Sequence, residues 1–206
     1  MDSYRTVPAY GEAEFTEKKS RFIGHIAPAK SEGEAVSFVS KIRAGHRRAN
    51  HNCYAYILRE GNAMRYSDDG EPQGTAGMPI LEVLRREGIV DVAVVVTRYF
   101  GGILLGAGGL VRAYAHGAKL ALDCVGIAHM CRCTEFAIEM PYSRYEQVLK
   151  LLEDYPVRIL DTSFAGDITL YIRMRTDSFA AFEAALTELS AGGFGVVVTG
   201  EMFAAM

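Results

Sequence analysis

The chain has 206 residues, half of them apolar and 23% charged, with a formal net charge of −3. That length and balance exclude a disordered or fibrous chain and leave room for one large or two small domains, each able to bury a core without staples. The N-terminal stretch has no basic start followed by an apolar run, and no apolar segment approaches the roughly 20 residues that span a bilayer, so a cytoplasmic protein with no membrane partner is expected. Cys53, Cys124, Cys131 and Cys133 form no regular framework, which suits a reducing compartment.

Residues 12–16 and 21–27 read as strands separated by a charged stretch. Ser31 and Glu34 form a capping box, in which each side chain can satisfy a backbone donor left free at a helix start. Ala35, Phe38, Val39 and Ile42 follow at helical spacing, predicting a helix over 32–44 that stops at Gly45. Residues 52–58 alternate and are rich in Tyr and Ile, predicting a strand that turns at 60–62 into a hairpin with 63–66. After a polar loop over 67–77, a helix is expected from Pro79 to about residue 87, since proline is tolerated in a first turn. Residues 91–98 carry a continuous valine run, the pattern of a central strand. A glycine-rich turn over 99–109 leads into a small, mostly apolar helix over 109–126.

The second part has strands at 134–140, 157–164, 168–175 and 194–199. Helices fall between them, one with Tyr145, Val148, Leu149 and Leu152 as its apolar stripe, the other started by Asp177 and stopped by Gly192 and Gly193. The order is βαββαβ, the ferredoxin-like split unit. The expected fold class is therefore α+β in two domains, residues 1–131 and 132–206, with the boundary near 128–134. Charge divides along the same line. Residues 1–132 hold 17 Lys and Arg against 14 Asp and Glu, whereas residues 133–206 hold 5 against 11. A polyanionic partner should prefer the first domain.

Two segments of that domain carry candidate chemistry. The first runs from Ser67 to Gly77. Asp68, Asp69 and Glu71 are three carboxylates within four positions, Ser67 and Thr75 add hydroxyls, and Gly70, Gly74 and Gly77 let backbone approach a ligand. Such a loop could hold a hard cation or orient a polar ligand, although its spacing is not that of an EF-hand, and the plain alternative is a tight surface turn. The second is a strand, glycine-rich turn and helix start containing Arg98, Tyr99, Gly101, Gly102, Gly106, Gly108, Gly109 and Arg112, where backbone amides can cradle an anion. Ala107 and Gly108 stand where a P-loop needs Lys and Ser or Thr, and Val111 occupies the third glycine position of a dinucleotide fingerprint, so both named motifs are excluded. The competing reading is that these glycines permit close helix–sheet packing.

Arg43, His46, Arg47, Arg48 and His51 make a basic patch suited to RNA or an acidic protein. His46, His51 and Cys53 lack a fourth ligand, so neither a metal nor a cofactor is expected. No nucleophile motif is present, and no catalytic residue is assigned.

The chain resembles the Impact/YigZ family along essentially its whole length. The resemblance is carried by Lys19-Ser-Arg-Phe22, by His46 with Ala49-Asn-His-Asn-Cys53, by Tyr66-Ser-Asp-Asp-Gly-Glu-Pro-Gln-Gly-Thr-Ala-Gly77, and by Arg98-Tyr-Phe-Gly-Gly-Ile-Leu-Leu-Gly-Ala-Gly-Gly-Leu110 with Arg112 and Tyr114. Asn50 and Asn52 depart from the Arg and His that family members often carry there. The resemblance implies a first domain similar to ribosomal protein S5 domain 2 and a ferredoxin-like second domain similar to the C-terminal domain of elongation factor G. It also implies a link to translation control, without an established enzymatic activity. The leading expectation is a translation-associated regulator that binds RNA, the ribosome or a translation-related protein through its first domain. The rivals are an enzyme acting on a small phosphorylated or nucleotide ligand with a divalent cation, and an adaptor that docks proteins on its acidic second domain.

Overall fold

The computed structural model describes residues 3–206, and the chain divides into two units, one of residues 5–128 and one of residues 129–206 joined by Ser3 and Tyr4. The first two residues of the expected first domain lie outside the described part. Each unit is built on its own five-stranded sheet with helices, so the fold class is α+β.

The first unit contains β2 (Gly11–Glu17), β3 (Ser20–Pro28), α1 (Glu32–Gly45), β4 (His51–Ile57), β5 (Met64–Ser67), α2 (Gly77–Glu87), β6 (Val92–Tyr99) and α3 (Ala107–Val125); β1 (Ser3–Thr6) precedes them. Its sheet runs β2-β3-β6-β4-β5, every neighbouring pair antiparallel. The valine run lies on the middle strand because both faces there are covered. Val92, Val94 and Val96 join the core with α2 and α3, while beneath α1 Ala93 packs with Ala35 and Val95 with Val39 and Ile42. α1 starts at Ser31, whose Oγ accepts from the Glu34 amide at 3.2 Å, as the capping box requires. The reciprocal contact is shifted by one residue, since Glu34 Oε2 accepts from the Lys30 amide at 2.7 Å. α3 lies against β3 with no clearance. A Cβ added at Gly24 would sit 2.1 Å from the Gly117 carbonyl oxygen, so this crossing admits only glycine.

The second unit contains β7 (Ala128–Met140), α4 (Tyr145–Leu152), β8 (Val157–Phe164), β9 (Ile168–Arg175), α5 (Thr176–Ser190) and β10 (Val196–Ala205). Its sheet places β9 between β7 and β8, with β10 and β1 also on β7. This is the expected βαββαβ order in ferredoxin-like arrangement. Phe136, Ile138, Leu170, Ile172, Phe182 and Leu186 fill the space between sheet and helices. Two differences from the sequence reading stand out. β7 begins at Ala128 rather than 134 and β10 runs to Ala205 rather than 199, because residues 130–135 pair with 200–205 beyond a bulge at Val198/Gly200. That bulge shifts the alternation that marks a strand. No helix among the described residues is long and apolar enough to cross a membrane.

Candidate functional site

Antiparallel pairing brings the informative segments of the first unit to one end of its sheet. His51 opens β4 opposite Arg98, near the close of β6, and the Asn50 amide donates to the Arg98 carbonyl at 2.9 Å. The β2–β3 turn arrives at the same end, with Arg21 paired to Tyr99. Lys18 and Lys19 form that turn with φ of 45° and 66°. The glycine-rich segment after β6 is seated on this turn, since a Cβ at Gly101 would meet the Lys19 carbonyl oxygen at 2.0 Å.

The acidic loop folds back over the same end, and each carboxylate is engaged by the protein. Asp68 accepts from the amides of Gly74, Ala76 and Gly77 at 2.9, 3.0 and 2.8 Å. It thereby supplies the cap that α2 lacks locally, because Ala76 at the helix entry has no capping side chain. Asp69 accepts from the Asn52 amide at 2.7 Å and from Arg43 Nη2 at 2.6 Å. Its own amide donates to Ser67 Oγ at 3.2 Å. Thr75 closes the loop by donating from Oγ1 to the Pro72 carbonyl at 2.6 Å. Glu71 is buried, and its Oε1 accepts from Arg98 Nη1 at 2.6 Å and from the Tyr114 hydroxyl at 2.7 Å.

These contacts bear on two of the alternatives left open by the sequence. The carboxylates do not converge on an open cation position, and no group of three or more His, Cys, Asp or Glu among the described residues is arranged to hold a metal. Arg98 is not a free anion receptor. Its charge is matched by Glu71, and its guanidinium carbon lies 5.4 Å from the ring centroids of both Phe22 and Phe100.

What the two segments do share is a cleft of about 390 Å³, lined on one side by Asn50, His51, Glu71, Pro72 and Arg98 and on the other by Phe100 and residues 104–107 with Leu110. Leu104 is 82% exposed, and Phe100 and Ile103 are also exposed, so the rim is apolar. His51 Nδ1 is 2.9 Å from the Asp69 carbonyl, which can only accept, so Nδ1 carries the proton. Its Nε2 is left without a hydrogen in the neutral ring, 3.8 Å from Glu71 Oε1. Burial pushes the Tyr114 hydroxyl and the Cys53 thiol well above their ordinary ranges. Cys53 donates to the Asp68 carbonyl at 2.9 Å, as a protonated thiol must. Neither group is poised to ionise.

The remaining candidates scatter around this cleft. Gly70, Gly74, Gly102 and Gly106 hold positive φ in the loops. Gly77 begins α2, and Gly108 and Gly109 lie in the first turn of α3. Arg112 is exposed on α3 and borders a different pocket. His46 is 2.9 Å from the Tyr99 hydroxyl through Nδ1, and Arg43 is tied to Asp69. Arg47 and Arg48 are exposed in the turn after α1. The sequence reading missed Asn50, Phe100, Leu104 and Leu105. The signal for the last three was an aromatic and an Ile-Leu-Leu run inside a glycine-rich turn, where polar residues are the rule.

Comparison with known proteins agrees with this layout. The model of the Impact N-terminal domain matches residues 18–122, which hold the whole cleft, and a domain of unknown function (DUF1949) matches residues 138–192. The IMPACT family member YvyE of Bacillus subtilis is 36% identical over 193 residues, covering 93% of this chain and 89% of that protein. The IMPACT family member YigZ of Escherichia coli is 35% identical over 178 residues, covering 85% and 87%. A crystal structure described as that of a hypothetical protein superposes with a TM-score of 0.62 at 32% identity, covering 97% of this chain and 98% of the other. By sequence, domain order and fold together, the chain belongs to the IMPACT family.

Proposed function

We propose that the first unit is an RNA-binding module acting in translation, and that the sheet end around the cleft is its contact surface. One observation carries the reading: Lys18, Lys19, Arg47 and Arg48 are all exposed, form no ion pair among the described residues, and sit in two loops that reach the same end of the sheet as the cleft. Cations left unpaired in a chain of net charge −3 are available to phosphates. Phe100 complements them with a half-exposed ring backed by the Arg98 guanidinium, a platform on which a base can stack. The cleft is bordered by both polar and apolar groups, the mix that receives an unstacked base rather than a duplex. The setting in translation comes from the family resemblance.

Fluorescence anisotropy with a 12-nucleotide single-stranded RNA, titrated across salt, tests this reading. Arg47→Gln with Arg48→Gln should flatten the log–log salt slope by about 1.4, from about 0.7 per phosphate contact on single strands. Phe100→Ala should weaken binding by about 1–3 kcal/mol, the range for one base–aromatic stack. No binding at low salt would end the RNA reading.

A further inference from the structure

A second pocket lies beside α3 and shares Leu105 with the cleft; of its lining the RNA reading uses only Lys18. It has a volume of about 220 Å³ and is lined by Phe15, Glu17, Lys18, Leu105, Gly109, Arg112, Ala113 and His116. That volume is below the usual 300–1,000 Å³ of sites for drug-sized ligands, so it suits a small group.

Its charged side chains have no paired counter-charge among the described residues. The other cation of α3, Lys119, is paired at 2.9 Å with Glu87 and at 2.7 Å with Asp123. Arg112, two turns earlier, has no ion pair among the described residues, and neither do Lys18 and Glu17, although all three border one cavity. Each is held by a fixed backbone. Arg112 and His116 are four apart on one helix and so project side by side. The His116 ring is set edge-on to Phe15 with centroids 4.7 Å apart. Lys18 adopts φ 45° in a two-residue hairpin turn, a conformation that Asn or Gly takes at lower cost, and Gly101 buttresses that turn from behind.

We propose that this pocket binds a phosphate monoester that carries a nearby hydroxyl, such as a pentose phosphate or the 5′-phosphorylated end of an RNA. The three nitrogen-bearing side chains come from two elements and can surround a tetrahedral dianion, with the Arg112 fork and the Lys18 ammonium as the charged donors. Glu17 offers the ligand an acceptor, which a sugar hydroxyl can meet. Arg112 and Lys18 less Glu17 leave one net positive charge, which an amino acid, neutral overall as a zwitterion, would not match.

Calorimetry on the full chain with ribose 5-phosphate, inorganic phosphate and an amino acid tests the pocket. Ribose 5-phosphate should bind saturably, and more tightly than inorganic phosphate. Arg112→Gln, and separately Lys18→Asn, which keeps a residue suited to the turn, should each weaken it at least tenfold. Glu17→Gln should remove the preference over inorganic phosphate. Comparing 5′-phosphorylated with 5′-hydroxyl RNA separates the two sources: a gain from the phosphate that Arg112→Gln abolishes assigns the chain end, and its absence with ribose 5-phosphate still bound assigns the small molecule. Arg47→Gln with Arg48→Gln should leave ribose 5-phosphate binding unchanged, so the pocket can stand even if RNA binding fails. Lack of saturable binding, equal affinity after Arg112→Gln and Lys18→Asn, or a comparable loss from the Arg47 and Arg48 substitutions would overturn the proposal.

Discussion

Acid should weaken the first unit through His25. This side chain lies on β3 beneath α1, 2% exposed, with Nε2 unpartnered and Nδ1 3.2 Å from the Tyr10 hydroxyl. Tyr10 in turn donates to Glu12, and burial with that contact raises its own hydroxyl to about 12, so at neutral pH the phenol keeps its proton and accepts from His25 Nδ1. Burial, reinforced by the His46 ring 5.0 Å away and opposed by Glu12, lowers His25 from 6.5 to about 4. The native state therefore refuses a proton that the unfolded chain accepts between those two values. Stability rises with pH wherever the unfolded state binds more protons, so it is retained above about 6.5 and lost as pH falls toward 4. Between pH 7 and 4.5 this one group should remove about 2 kcal/mol, from about 1.4 kcal/mol for each pH step over which only the unfolded ring is charged. Urea unfolding of the wild type and His25→Asn at both pH values isolates the effect from that of the carboxylates. Asparagine retains a donor near Tyr10 but does not titrate, so the variant should lose about 2 kcal/mol less over that interval. Identical losses in the two proteins would show that His25 is protonated in the native state at little cost, and the argument from burial would fall.

Asp68→Ala removes the acceptor of three backbone amides and should cost about 3 kcal/mol or more in urea unfolding, with Asp68→Asn recovering part of it. Glu71→Ala leaves the Arg98 charge buried without its partner and should cost about 3–5 kcal/mol by thermal or chemical unfolding. With a thiol reagent under native conditions, exposed Cys124 should label readily while Cys53 reacts only as the unit unfolds, because burial raises its thiol far above neutral pH.

Much of the architecture could be read from residue order, and the failures have physical causes. The valines of β6 announced a strand covered on both faces, and α1 declared itself through Ser31 and Glu34, because both signals lie within one element. β1 was missed because four residues carry no usable alternation, and the late part of β10 because a bulge precedes it. Both glycine-punctuated segments were read as candidate site elements, and residues of both line one cleft. The duties of their charged residues were not legible. Asp68 reaches amides six to nine positions ahead only after its loop folds back, and Glu71 meets Arg98 across 27 positions. A carboxylate engaged by backbone looks the same in sequence as one awaiting a cation. Lys18 was passed over because a lysine in a turn is ordinary until its backbone angle is known.

The crowding at Glu71 Oε1 has a dynamic corollary. Through that single atom the loop after β5 is fastened to β6 by Arg98 and to α3 by Tyr114, while His51 of β4 stands just outside bonding range. Releasing the loop or β6 leaves one member of the buried Glu71–Arg98 pair without its counter-charge, and releasing α3 takes away the Tyr114 hydrogen bond, so none is free to breathe alone. Amides of the loop, the end of β6 and the middle of α3 should therefore exchange with solvent as one block, and whatever partner seats itself in the cleft will feel three separate stretches of chain as a single stiff wall.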